Sequence, residues 1–142
     1  MKVPRMLKLT GILETPLYVG DLARACAFYE RLFELRLLLQ EEHFCAYEVT
    51  GCPVLLLFER GSFLDTQKLP GGNIPPHDGG GHLHVAFGVE TEQFHAWEVR
   101  LSEQGIRVEG RMNWPHGGRS LFFRDPDGHL LELLEEGSWP IR

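Results

Sequence analysis

Several features that place a protein quickly into a class are scarce or missing in this chain. There are only three cysteines, Cys26, Cys45 and Cys52, an odd number with no CxxC spacing. That excludes a disulfide framework or a zinc ribbon and reads as reduced thiols in a cytoplasmic protein. No apolar run approaches the roughly 20 residues that span a bilayer, so no membrane partner is expected. Basic residues are outnumbered, 14 Lys and Arg against 20 Asp and Glu, for a net charge of −6. The chain therefore lacks the electrostatic footprint of a nucleic-acid binder. The N-terminus MKVPRMLKLTG carries basic residues but no apolar core, which speaks against a signal peptide.

What is present is ordinary in bulk and unusual in one place. The 142 residues, 43% hydrophobic and 24% charged, make one domain with enough apolar surface for a real core. The unusual stretch is GRSLFFRDPDGHLLELL, Gly118 to Leu134. It reads as strand, turn, strand: an aromatic-rich run, the turn Asp125-Pro126-Asp127-Gly128, then a second apolar run. Glu132 stands in the middle of that second run. A carboxylate in an aliphatic strand is costly to bury unless it is paired, hydrogen-bonded or bound to a metal.

Read in order, the chain shows one pattern twice. Leu13 to Val19 reads as a strand, and Asp21 as the N-cap of a helix over Leu22 to Phe33. Apolar Leu22, Ala25, Cys26, Tyr29 and Phe33 recur at helical spacing. Strands follow over 35–39, 44–49 and 53–58. The segment 60–81 is rich in Gly, Pro, Asp and His and is too long for an ordinary turn. It reads as a linker, part of which covers a site. Then the pattern restarts. His82 to Val89 is a strand, and Thr91 caps a helix over 92–104. Strands over 107–113, 120–124 and 129–134 complete a second unit. The expectation is an α+β fold in a single domain of two βαβββ modules, 12–59 and 82–135, joined by the linker 60–81.

The repeat aligns chemically active residues. Glu14 stands as far before His84 as Asp21 before Thr91 and Val19 before Val89. Aligning the turn glycines Gly51 and Gly128 sets Glu132 opposite Leu55. A pseudo-twofold relation between the modules would bring Glu14, His84 and Glu132 to one cleft, where a shared ion explains three such residues together. Other groups could finish the site: His82, two residues before His84; His116 and Arg119, in and just after the loop before the seventh strand; Tyr47, for which core packing is the competing role. Trp114 and Trp139 read as cleft or dimer-contact aromatics.

LYVGDLARACAFYERLF near the start, HVAF at His84 to Phe87 and FRDPDGHLLEL at Phe123 to Leu133 resemble the vicinal oxygen chelate superfamily. That superfamily includes glyoxalase I, bleomycin-resistance proteins, extradiol dioxygenases and fosfomycin-resistance enzymes. The resemblance spans about Leu13 to Glu135. It implies paired βαβββ modules in a cup-shaped, incompletely closed mixed sheet around one divalent metal: Mn, Fe, Ni, Zn or Mg. It also implies Glu14, His84 and Glu132 as metal ligands, with a glutamate such as Glu132 able to act as a base. A homodimer is implied, with the site possibly shared between chains. Leu55 takes the place of the fourth ligand of glyoxalase I, which argues against lactoylglutathione chemistry. The function expected is a metal-dependent lyase or isomerase, transferase or dioxygenase acting on a small oxygenated substrate, with His82, His116 and Arg119 as substrate contacts. The alternative is a non-catalytic small-molecule or antibiotic binding protein of the bleomycin-resistance kind.

Overall fold

A computed structural model describes residues 6–50 and 52–141. Gly51, the turn glycine used to align the halves, lies outside them, as do the first five residues. Strand β1 (Glu14–Val19), helix α1 (Leu22–Phe33) and strands β2 (Arg36–Gln40), β3 (Phe44–Val49) and β4 (Cys52–Glu59) form the first unit. A small hairpin, β5 (Gln67–Leu69) and β6 (Gly72–Ile74), follows. The second unit is β7 (His84–Val89), α2 (Phe94–Glu103), β8 (Gly110–Asn113), β9 (Arg119–Arg124) and β10 (Leu130–Glu135). Each unit builds its own four-stranded mixed sheet, ordered β1-β4-β3-β2 and β7-β10-β9-β8. The first strand of each unit is parallel to its last, and the remaining pairs are antiparallel. This is the α+β, two-module, unclosed architecture expected from the chain.

Local chemistry explains the elements. Asp21 caps α1, its carboxylate accepting from the Arg24 N–H at 3.0 Å. Ala25, Cys26, Tyr29 and Leu32 form the helix's buried stripe, and Glu34 ends it in the left-handed region at φ 53°. Strand alternation then sorts the sheet into two faces. Leu17, Val19, Cys45, Tyr47, Leu55 and Leu57 face the helix and are buried in the core. Tyr47 belongs to this set: it is fully buried and donates to Glu30 Oε1 at 2.8 Å, so it does not face a cleft. In the second unit Leu121, Phe123, Leu131 and Leu133 join the same core.

The Asp-Pro-Asp-Gly-His turn clasps the two units together. His129, fully buried, accepts from the Leu83 N–H through Nδ1 at 2.9 Å. Its Nε2–H donates to the Tyr18 carbonyl at 2.8 Å. Tyr29 donates to Asp125 at 2.7 Å from across the core, and Asp127 accepts from the Gly20 N–H at 2.7 Å. Burial and the Asp125 carboxylate push the Tyr29 phenol far above its ordinary range, so it stays a donor. The turn of the motif that marks the chain most strongly is thus spent on joining the modules.

Four expectations are corrected. Thr91 does not cap α2: Thr91–Gln93 forms a 3₁₀ turn and the helix begins at Phe94. The strand expected from Arg107 begins at Gly110, and those expected from His82 and His129 begin at His84 and Leu130. The linker contains the β5–β6 hairpin. Most consequentially, the repeat is out of step by one residue. Glu14 pairs across the ladder with Val54, and His84 pairs with Leu130. Two residues on, Glu132 therefore matches Leu56, not Leu55. In a strand, a slip of one residue exchanges the faces: Leu55 is in the core on the helix side, whereas Leu56 lines the open face. An aliphatic side chain still occupies the fourth-ligand position.

Candidate metal centre

His84 opens β7, and Glu132 lies at the centre of β10, on the same open face of the second sheet. Glu132 is buried, with its side chain 8% exposed, while that of His84 is 49% exposed. The ring of His84 is oriented by its own strand pair. Nδ1 lies 2.9 Å from the Leu130 carbonyl, which can only accept, so Nδ1 carries the proton. Nε2 then points at Glu132 Oε1, 3.2 Å away. Two acceptors can sit this close only with a proton or a cation between them. A histidine whose far nitrogen donates to a backbone carbonyl is the arrangement that prepares an imidazole for a metal.

The other oxygen of Glu132 is also held. Ser120 Oγ, on neighbouring β9, donates to Oε2 at 2.5 Å, and Trp114 Nε1–H donates to Ser120 Oγ at 2.7 Å. This relay fixes the carboxylate with Oε1 free to face His84. Ser120 has a signal in the sequence that the repeat does not bring out. It is a lone hydroxyl at an alternating position in an apolar strand, on the same face as Glu132. Trp114 is a cleft-side residue through this hydrogen bond.

Glu14 lies elsewhere. It begins β1 on the open face of the first sheet, where it lines a cavity of about 1330 Å³ together with Pro16, Ala46, Leu56 and Phe58. Neither His84 nor Glu132 lines that cavity. Among the described residues no group of three or more His, Cys, Asp or Glu is disposed to hold a metal within one chain. One chain thus brings together His84 and Glu132 and leaves Glu14 apart.

The three further candidates separate as well. His82 precedes β7 and packs on the Asp-Pro-Asp-Gly turn. A Cβ added to Gly128 would come within 2.9 Å of its Nε2. His116 is exposed at the tip of the β8–β9 turn, beside Trp114. Arg119 points to the helix side of its sheet. It donates to Glu135 at 2.5 Å and lies 4.2 Å over the Phe94 ring. That pair holds the Glu135 carboxyl below its usual range and the guanidinium above its own.

Residues 11–133 match the model of the Glyoxalase/Bleomycin resistance protein/Dioxygenase superfamily. The chain is 30% identical over 127 residues to the metallothiol transferase FosB of Bacillus licheniformis, covering 89% of this chain and 75% of that one. It is 32% identical over 128 residues to the FosB of Shouchella clausii, covering 88% and 80%. Among solved structures it is similar to a lactoylglutathione lyase from Agrobacterium tumefaciens. There the identity is 30% and the TM-score 0.84, with 94% of this chain and 98% of that one covered.

Proposed function

The chain belongs to the glyoxalase/bleomycin resistance protein/dioxygenase superfamily, and from that premise we propose that it is a metal-dependent enzyme acting on a small oxygenated molecule. His84 and Glu132 of one chain supply two ligands for a divalent ion. Glu14 of a second copy supplies the third, because the fold separates Glu14 from the other two within one chain. The observation that carries the reading is the His84–Glu132 pair: Nε2 and Oε1 face each other at 3.2 Å, each held by a further hydrogen bond. The names of the FosB relatives, metallothiol transferases, support a metal, and the lyase likeness supports an enzyme of this kind. An imidazole with two carboxylates suits a hard or borderline dication such as Mn²⁺, Fe²⁺, Ni²⁺, Zn²⁺ or Mg²⁺.

When bound, such an ion supplies Lewis acidity toward a substrate oxygen. The residues of this chain then have separate tasks. His84 is held in one tautomer by the Leu130 carbonyl. Ser120 and Trp114 hold Glu132 so that one oxygen stays directed at His84. Glu132 is the group placed to accept a proton, being within reach of anything bound between it and His84.

The test is elemental analysis of protein purified without chelator, for the wild type and His84→Ala, with the oligomeric state measured by light scattering. The expected result is about one metal per chain in a wild-type dimer and a loss of more than ~10-fold in the variant. Metal-free wild type that takes up none on titration overturns the reading.

A further inference from the structure

The open face of the first sheet has two unlike ends. Along β1 the residues on this face are Glu14 and Pro16, which line the cavity, and then Tyr18. Along β4 they are Val54, Leu56 and Phe58. Glu14 and Tyr18 are four residues apart, about 13 Å in an extended strand. Glu14 and, across Val54, the Arg36-paired Glu48 stand at one end. The far end is aromatic: Phe58 meets Phe63 with centroids 4.9 Å apart, and His77 meets Phe58 at 4.7 Å and Phe63 at 4.8 Å. His77 Nδ1 and the Tyr18 hydroxyl form a hydrogen bond of 2.8 Å. Burial and the neighbouring Asp78 push the Tyr18 phenol above its ordinary range, so this end carries no phenolate. Phe63 and His77 come from the linker, and the β5–β6 hairpin adds Leu69 and Ile74 to the wall. Between the two ends the floor is aliphatic.

The charges on this wall are as informative as its shape. Among the described residues that line it, the carboxylates are Glu14 at one end and Glu41 and Glu42 in the β2–β3 turn beside the other, with Lys68 and the Glu59-bonded His43 and no arginine. A phosphonate or carboxylate group seated against this wall would face its three carboxylates, and the guanidinium that shares the face, Arg36, is already paired with Glu48. We propose that this wall is the tail pocket of the substrate, which carries its oxygen atoms at the Glu14 end and an uncharged aromatic or aliphatic tail toward Phe58, Phe63 and His77. This rests on the metal reading above for the position of the oxygenated head. It adds the class of molecule: a neutral-tailed oxygen chelator, rather than a small anionic one.

The test uses hydroxamic acids, which chelate through two adjacent oxygens and differ only in the tail. Acetohydroxamic, hexanohydroxamic and benzohydroxamic acids, with phosphonoformate as the anionic comparison, are titrated calorimetrically into the full chain with and without Mn(II). The hexano and benzo compounds are expected to bind at least about 10-fold more tightly than the aceto compound, from burial of their added apolar surface. Phosphonoformate is expected to be the weakest. Ile74→Asp, on the exposed hairpin and outside the core, should abolish the advantage of the long tail and leave acetohydroxamate unchanged. An affinity independent of tail length, or phosphonoformate as the tightest ligand, overturns the proposal. So does a pocket closed to every probe, which would assign the cavity to an apolar segment of a second chain. Failure of the metal reading shows separately, as affinities that Mn(II) does not alter while their dependence on tail length persists.

Discussion

On the open face of the first sheet, β1 presents Glu14, Pro16 and Tyr18. At the matching places of the second, β7 presents His84, Ala86 and Gly88. The last strands carry Val54, Leu56 and Phe58 against Leu130, Glu132 and Leu134. The strands beside them carry Phe44 and Ala46 against Ser120 and Phe122. The two faces have the same backbone and opposite chemistry. The first is an apolar wall with its carboxylates at the edges, Glu14 and the Arg36-paired Glu48 at one end and Glu41 and Glu42 at the other. The second gives its central carboxylate a hydroxyl donor from the next strand and an imidazole from the one on its other side. A buried glutamate is tolerated where its lone pairs are met, and the duplicated scaffold meets them on one side only. One sheet is therefore suited to holding an ion and the other to holding the rest of a ligand.

The sharpest way to break this contrast is to put the carboxylate on the wrong wall. Leu56→Glu places it at the position equivalent to Glu132, where Phe44 stands in place of Ser120 and offers no hydrogen-bond donor. Urea unfolding is expected to show a loss of about 3 kcal/mol, against less than about 1 kcal/mol for Leu56→Met. A near-neutral Leu56→Glu would mean that the scaffold, and not the donors, accommodates the charge.

Removing the donor on the correct wall should matter less. Ser120→Ala leaves the carboxylate in place and frees its orientation, so Mn(II) affinity should fall about 10- to 100-fold while the fold is retained. Unchanged affinity in a metal titration would show that Trp114 and Ser120 do not hold Glu132 for binding.

The smallest effect lies on the helix side of the second sheet. Arg119 lowers the carboxyl of Glu135, so their pairing stabilises the fold above the usual carboxylate range and is lost as the pH falls through the lowered value. Glu135→Gln should be less stable than the wild type at neutral pH, and the gap should close near about pH 3, in denaturation curves run at both. A gap of constant size would mean that the pair acts through packing on Phe94 rather than through charge.

Much of this molecule could be read before it was seen. The helix over Leu22–Phe33, its Asp21 cap and the alternation of the strands follow from spacing and capping chemistry that act within a few residues. The repeat itself was legible because both modules bury the same kinds of face. The match of Glu132 to Leu55 was not reliable, because a loop of different length in each half hides a one-residue slip, and only the hydrogen-bonded ladder sets register. The sequence also placed Glu14, His84 and Glu132 on a common list without saying which chain each serves. Residue type and local pattern determined by themselves that there would be two βαβββ units, each with a helix face, and that a carboxylate would stand in an aliphatic strand. Tertiary structure alone decided that His84 Nε2 faces Glu132, that Ser120 and Trp114 hold that carboxylate, that Arg119 turns to the helix side, and that the linker closes one end of an apolar wall. Those outcomes depend on pairings between residues far apart in the chain, and such pairings are set by register and packing rather than by neighbours in sequence.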